Sequence, residues 1–293
     1  MSATRLAVAA ISLDFGNTLV RVDRAGLHGV VADTADSMLR AGIASDRAAF
    51  LTAWVEERDR QFREEVPQLR ETDLDQRAVR VLARLRGMEM PATEARWDDA
   101  LAAGYSAPAE IDAMVDAYST AFLDRMRPVP DALPTLQALA ARGFAVAILS
   151  NWPMAVTIDR FAAAHGWEPF LRAIVVSQRV GVIKPHPAIF RATELALGLR
   201  EGMPILHVGD DWAADVVGAR GAGWRAGYLR GRQQDTPLPT SSRPDAIDAG
   251  DAPPVVPDLE IDELAELEAL VDVAAGEMAQ AAANPAANAA AIA

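Results

Sequence analysis

From residue 130 to residue 229 the sequence alternates between helical spacing and short apolar runs. Helical spacing covers residues 133–141, 155–165, 188–197 and 213–222. The apolar runs lie at 144–149 (FAVAIL), 173–177 (AIVVS), 205–208 (ILHV) and 225–229. A further apolar run, 6–13, ends at Asp14 and a Gly-Asn turn. Runs of this length, bounded by turn residues, read as buried strands. Their alternation with helices predicts a parallel sheet covered by helices on both faces. In such sheets ligands bind beyond the carboxyl ends of the strands. Asp14, Ser150 and Asp210 each follow such an end, so the topology brings them together.

The segment between the first two predicted strands has a different texture. From about residue 26 to residue 127 apolar residues recur at three-to-four spacing, which predicts helices near 27–41, 46–65, 73–86, 91–103 and 108–126. Breaks fall at Gly42, Pro67, Gly87-Met88, Gly104 and Pro128, with helix starts at Ser45-Asp46 and Pro91-Ala92-Thr93-Glu94. Residues 1–20 and 129–232 therefore form an α/β core, and 21–128 an all-helical domain inserted into it. Residues 233–257 are rich in Pro, Ser and Asp and read as a linker. Residues 259–271 read as an amphipathic acidic helix. The remaining low-complexity tail, within the last segment 258–293, is expected to be disordered.

The chain has no cysteine, which excludes disulfides, thiolate metal sites and cysteine nucleophiles. Of the net charge of −13, 11 negative charges lie from Asp245 onward, where there is no Lys or Arg; the body carries −2. No basic patch argues for nucleic acid. No apolar run approaches the roughly 20 residues of a membrane span. The N-terminal run leads straight into Asp14, so it reads as a strand of a cytoplasmic protein, not as a signal peptide. Of 28 basic residues, 27 are Arg, and the one lysine is Lys184. Either codon bias spared a single lysine, or position 184 needs a compact ammonium where a guanidinium does not fit.

Four pieces carry possible chemistry. Asp14 ends the first strand. Ser150 ends the second, followed by Asn151. Lys184 stands in GVIKPHPAIF, and Asp210, Asp211 and Asp215 in HVGDDWAADVVGA. Each alone has an ordinary reading as a turn, a surface loop or a helix cap. In this order, at converging strand ends, they suit one task. Carboxylates gathered in a pocket repel unless a cation neutralises them, and hard oxygen ligands suit Mg²⁺. Asp14 can then act as a nucleophile toward phosphorus. Lys184 supplies a point charge for Asp14 and phosphate, and the Ser150 hydroxyl helps cradle the phosphate oxygens.

Together LDFGNTLV, AILSN, VGVIKPHPAIF and HVGDDWAADVVGARGAG resemble the four motifs of the haloacid dehalogenase superfamily, over about residues 6–230. The resemblance implies a Rossmann-like core with a large helical cap inserted after the first motif. It implies Asp14 as nucleophile and Mg²⁺ ligand, the Gly16 carbonyl and Asp210 as further ligands, and Asp215 holding metal-bound water or Lys184. Asp211 joins the metal set with a less defined role. Thr18, Ser150 and Asn151 would line the phosphate site. The implied partner is a small phosphorylated metabolite enclosed by the cap; the oligomeric state stays open.

Gly16 departs from the pattern. Phosphatases of the family usually carry a second Asp there, which protonates the leaving oxygen and then activates water, work worth ~10²–10⁴-fold. Three readings follow. The enzyme is a phosphatase restricted to good leaving groups or supplied with an acid by the cap, for which Asp23, His28 and Asp33 are candidates. It is a 2-haloacid dehalogenase, whose halide leaves without a proton. Or it is a non-catalytic binder of phosphate or of a partner. Arg21, Arg24 and Trp54 are possible substrate contacts, and His186 a possible entrance residue. His165 and His207 read as structural.

Overall fold

The computed structural model describes residues 5–71, 74–90, 99–200, 202–232, 235–242 and 255–274. Its centre is a six-stranded parallel sheet in the order β6-β5-β2-β7-β8-β9. The strands are β2 (Ala10–Leu13), β5 (Ala145–Ser150), β6 (Ala173–Val176), β7 (Ile205–Gly209), β8 (Arg225–Leu229) and β9 (Leu259–Ile261). β2 lies between β5 and β7, with Leu13 level with Ile148 and Val208. That register sets Asp14, Ser150 and Asp210 at one end of three adjacent strands.

Side chains alternate between two cores, as strand geometry requires. Ile11, Leu13, Val146, Ile148, Leu206 and Val208 face a core shared with α6 (Ala132–Ala141) and α7 (Ala155–Ala164). Ala10, Ala147, Leu149 and Ile205 face a second core with α9 (Pro187–Leu197), the π-helical turn Trp212–Val217 and α10 (Gly218–Gly221). A short helix, α8 (Ser177–Val180), follows β6.

Between β3 (Val20–Arg21) and β4 (Arg127–Pro128) runs a helical cap. Its helices are α1 (Arg24–Arg40), α2 (Arg47–Glu64), α3 (Leu74–Leu85), α4 (Asp99–Ala103) and α5 (Pro108–Arg125). Asp23 caps α1 through the Gly26 N–H at 2.6 Å, and Asp46 caps α2 through Ala48 and Ala49. The helix start expected at residues 91–94 lies outside the described residues. β3 and β4 pair antiparallel, so the chain enters and leaves the cap through one two-stranded neck. Phe122 of α5 packs 5.3 Å from Trp152, 5.8 Å from Phe161 and 6.2 Å from Phe15, which ties the cap to the core.

Two expectations are corrected. Residues 6–13 are two strands, not one: β1 (Leu6–Val8) leaves the main sheet, and the chain shifts at Ala9, whose N–H reaches the Pro204 carbonyl. The acidic helix expected at 259–271 is confined to residues 264–270, with a short strand on either side. Leu259–Ile261 forms β9 at the sheet edge beside β8, a 3-10 turn (Leu264–Glu266) runs into the short helix α11 (Leu267–Leu270), and β10 (Val271–Val273) pairs with β1. The open edge of β8 offers unpaired backbone groups, and their pairing outweighs a helical preference spread over few residues. The final residues, 275–293, lie outside the described residues. No helix among the described residues is long and apolar enough to cross a membrane.

Candidate active site

The turn after β2 sets the first group. Asn17 takes a left-handed conformation (φ 57°), and its side chain accepts from the Val22 N–H. The chain thus folds back on itself and leaves Asp14 at the floor of a cavity of about 510 Å³. Gly16, Ser150, Asn151, Lys184, Asp210, Asp211 and Asp215 line the same cavity.

Lys184 is the hub. Its Nζ donates to Asp14 Oδ1 at 2.7 Å, Asp215 Oδ1 at 2.7 Å and the Leu149 carbonyl at 2.9 Å, and lies 3.4 Å from His207 Nε2. The residue is 2% exposed. Asn151 holds its backbone from both sides, accepting from the Lys184 N–H and donating to the Lys184 carbonyl. Burial alone would lower the lysine pKa, but Asp14 and Asp215 reverse this and the net shift is upward.

The acids divide by their partners. Burial would raise Asp215, yet Lys184 and His207 hold it well below the carboxylate range. Its second oxygen accepts the Asp211 N–H. A Cβ on Gly209 would overlap the Asp215 carboxylate, which explains a glycine at that strand end. Asp14 has less support: burial pushes it up to about 7 against the pull of Lys184. Burial and the neighbouring Asp14 and Asp215 raise Asp210 well above its ordinary value. Ligating oxygens of Asp14, Asp210 and Asp215 all lie within 4.8 Å of one another. Three carboxylates against one ammonium leave an excess of negative charge in a buried place, and a divalent cation with oxygen preference fits that donor set.

Two predicted site residues do other work. Thr18 is fully buried and points its hydroxyl toward Asp210 Oδ1 at 3.4 Å; it supports an acid and does not line the cavity. Asp211 is turned away from the acid cluster. Its Oδ1 accepts from the Ala214 N–H and the Ser241 hydroxyl, and its Oδ2 from the Ser241 N–H. It caps a helical turn and fastens a distant segment, and it lies outside the group of acids whose oxygens gather within 4.8 Å.

That segment was expected to be linker. Residues 237–241 instead line the cavity. The Arg24 N–H donates to the Asp235 carbonyl, and Asn17 donates to Thr236 Oγ1 at 3.1 Å. At the far end Ser241 meets Asp211, Trp212 and Ala213. Pro237, Leu238 and Pro239 line the cavity. A Cβ on Gly16 would sit 3.0 Å from Leu238 Cδ1 and 3.8 Å from Trp152 Cζ3. Gly16 is not among the positive-φ glycines, so the backbone does not demand glycine there; a side chain would need Leu238 to shift slightly.

Of the acid candidates in the cap, His28 lines the cavity. Asp23 caps α1, and Asp33 pairs with Arg125 on the surface. Trp54 also lines the cavity, whereas His186 caps α9 and Arg24 meets Asp235. Arg21 is exposed and does not line it. His207 had read as structural, yet it is part of the hub. Its Nε2 lies 3.0 Å from Asp215 Oδ1 and its Nδ1 3.1 Å from Ser12 Oγ. Burial and Lys184 lower its pKa, against the pull of Asp215. A carboxylate only accepts, so Nε2 carries a proton toward Asp215. The available signal was a lone polar residue in the apolar run ILHV.

A family model for haloacid dehalogenase-like hydrolases matches residues 8–223. The chain belongs to this family. Over 120 residues this hydrolase is 31% identical to a ribulose-1,5-bisphosphate 5-phosphatase of Halopiger xanaduensis, covering 41% of this chain and 49% of that protein. Over 129 residues it is 32% identical to a glyceraldehyde 3-phosphate phosphatase of Methanopyrus kandleri, covering 44% and 54%. The chain spans about half the length of these curated relatives. A crystal structure of a 2-haloacid dehalogenase from Pseudomonas syringae pv. Tomato DC3000 superposes with TM-score 0.59 at 21% identity, covering 89% of this chain and 96% of that one. That likeness concerns the fold alone.

Proposed function

We propose that this hydrolase cleaves small phosphomonoesters through a phosphoaspartyl intermediate on Asp14. The observation that carries the reading is Lys184 Nζ at 2.7 Å from both Asp14 Oδ1 and Asp215 Oδ1, inside the cavity that Asp210 also lines. Mg²⁺ suits the donor set, with Asp14, Asp210 and the Gly16 carbonyl as the groups to hold it. When bound, it supplies the positive charge that lets Asp14 and a phosphoryl group share one pocket.

Asp14 attacks phosphorus, and the ester oxygen leaves. Lys184 orients Asp14 and balances its charge. Asp215, held by Lys184, His207 and the Asp211 N–H, fixes the lysine rather than reacting. Ser150 lines the same cavity as a donor for a phosphate oxygen. Beside Gly16 stands Leu238, which gives no proton. Leaving groups that depart as stable anions are therefore favoured. A halide is one such group, and this gives the dehalogenase reading its remaining support.

Hydrolysis of an aryl phosphate with Mg²⁺ tests the proposal. Asp14→Asn should lower kcat by on the order of 10³-fold or more. An unchanged rate in Asp14→Asn would sink it. So would halide release from a 2-haloacid that survives a chelator, with the aryl phosphate left intact.

A further inference from the structure

The cavity has a second charged end. Arg77 of α3 and Arg58 of α2 line it from the cap, with Tyr118 of α5. Arg77 is 6% exposed. Its Nε donates to Gln61 Oε1 at 2.7 Å, and its guanidinium lies 5.5 Å from the centre of the Trp54 ring. Both partners are neutral. Among the described residues no carboxylate lies within ion-pair distance of it.

The cap treats its other buried arginines differently. Arg80, one turn further along α3, is 4% exposed and donates to Glu57 Oε2 at 2.6 Å. Arg60 meets the same carboxylate at 2.9 Å. Burying a guanidinium without a carboxylate is costly, and the fold provides one wherever an arginine is only structural. Near Arg77 the balance runs the other way. Arg58 adds a like charge, shared with Asp59 at 2.7 Å. Glu71 also lines the cavity, but its carboxylate accepts the Ser177 hydroxyl. Burial pulls Arg77 down to about 10; Tyr118 and Glu71 resist, and Arg58 adds to the pull. A desolvated guanidinium open to a cavity is a receptor for an anion, and its planar fork matches a carboxylate or a phosphate.

We propose that Arg77, with Arg58 beside it, binds a second anionic group of the substrate, a carboxylate or a second phosphate, while the reacting phosphate sits at Asp14 and Lys184. This rests on the Asp14 reading. Leu27, Val31, Phe62 and Trp54 line the same cavity and suit the carbon skeleton that joins the two groups.

The test compares three esters on the full-length protein with Mg²⁺: an aryl phosphate with an uncharged leaving group, a short phosphate ester carrying a carboxylate, and a short bisphosphate. Arg77→Gln should lower kcat/KM for one charged ester by about 10²-fold relative to the aryl ester, chiefly through KM. Which ester responds identifies carboxylate or phosphate. Arg77→Lys should restore part of the ratio, because it keeps the charge and loses the fork. If Arg77→Gln does not fold, Arg58→Gln at its partly exposed position carries the same comparison. Equal losses on all three esters, or none, overturn the proposal and leave Asp14 untouched. Wild-type protein that turns over no ester overturns the Asp14 reading and this inference with it.

Discussion

A Cβ on Gly16 would lie 3.0 Å from Leu238 Cδ1, although 222 positions of sequence separate the two residues. The space beside Gly16 is bordered by a leucine methyl group, which can supply no proton. Gly16→Asp alone should therefore gain little on alkyl phosphates, because the new carboxylate meets Leu238. Gly16→Asp combined with Leu238→Ala should raise kcat/KM on alkyl phosphates by roughly tenfold or more, part of the ~10²–10⁴ that a general acid supplies. The alkyl-to-aryl ratio across this double-mutant cycle is the measurement. Additive effects would show that Leu238 does not guard the position.

Lys184 was conspicuous as the only lysine, and the structure gives a reason for it. Four groups, Asp14, Asp215, the Leu149 carbonyl and His207, converge on one nitrogen that is almost fully buried. A guanidinium is larger and its donors splay, so Lys184→Arg should not rescue activity. Lys184→Met should also destabilise the fold by about 3–5 kcal/mol, since it leaves two buried carboxylates without a cation. Urea unfolding and aryl phosphate turnover read the two effects. Near-wild-type turnover by Lys184→Arg would contradict this account of the hub.

The sequence was most legible where local pattern and tertiary role coincide. Strand ends carrying Asp14, Ser150 and Asp210 could be placed because parallel sheets align carboxyl ends by topology. The cap helices were legible from spacing and from caps such as Asp46. Three things escaped. The strap at 235–242 has no periodicity, and its contacts with Asn17 and Asp211 are long-range. Ile261, Leu264 and Leu267 recur at helical spacing, which hides the strand alternation of Leu259 and Ile261; only the open edge of β8 decides between them. His207 looks like any core residue until Lys184 and Asp215 are placed around it.

Glu57 gives a pH-dependent test of the cap. Its side chain is buried, and its two oxygens accept from Arg60 at 2.9 Å, Arg80 at 2.6 Å and Arg84 at 2.5 Å. Burial opposes the charged form, but the three arginines prevail and hold the pKa below 4.5. A depressed carboxylate pKa stabilises the fold above the unfolded value, and this contribution is lost as pH falls through the folded value. Glu57→Gln should therefore be less stable than wild type by about 3–5 kcal/mol near neutrality, with three arginines left unpaired. The gap should hold from neutrality down to about 4.5 and close only as the pH falls below that, through the lower folded value. Urea midpoints across that range decide it; a constant gap would rule out the ionised Glu57 as the cause.

The C-terminal segment should behave as core, not as tail. β9 closes the edge of the main sheet, and β10 pairs with β1. Ile261, Leu264, Leu267 and Val271 are fully buried. Arg142 fastens the segment by donating to the Glu268 and Val271 carbonyls at 2.6 Å, and Arg230 by its pair with Asp262. At about 1.5–3 kcal/mol for each buried side chain, four of them approach the whole stability of an ordinary domain. Removal of residues 258–293 should therefore yield insoluble or unfolded protein. Leu264→Ala gives the graded version, with an expected loss of about 2–5 kcal/mol in urea unfolding. A truncated protein that stays folded, with a wild-type midpoint, would mean that these strands decorate the sheet instead of completing it.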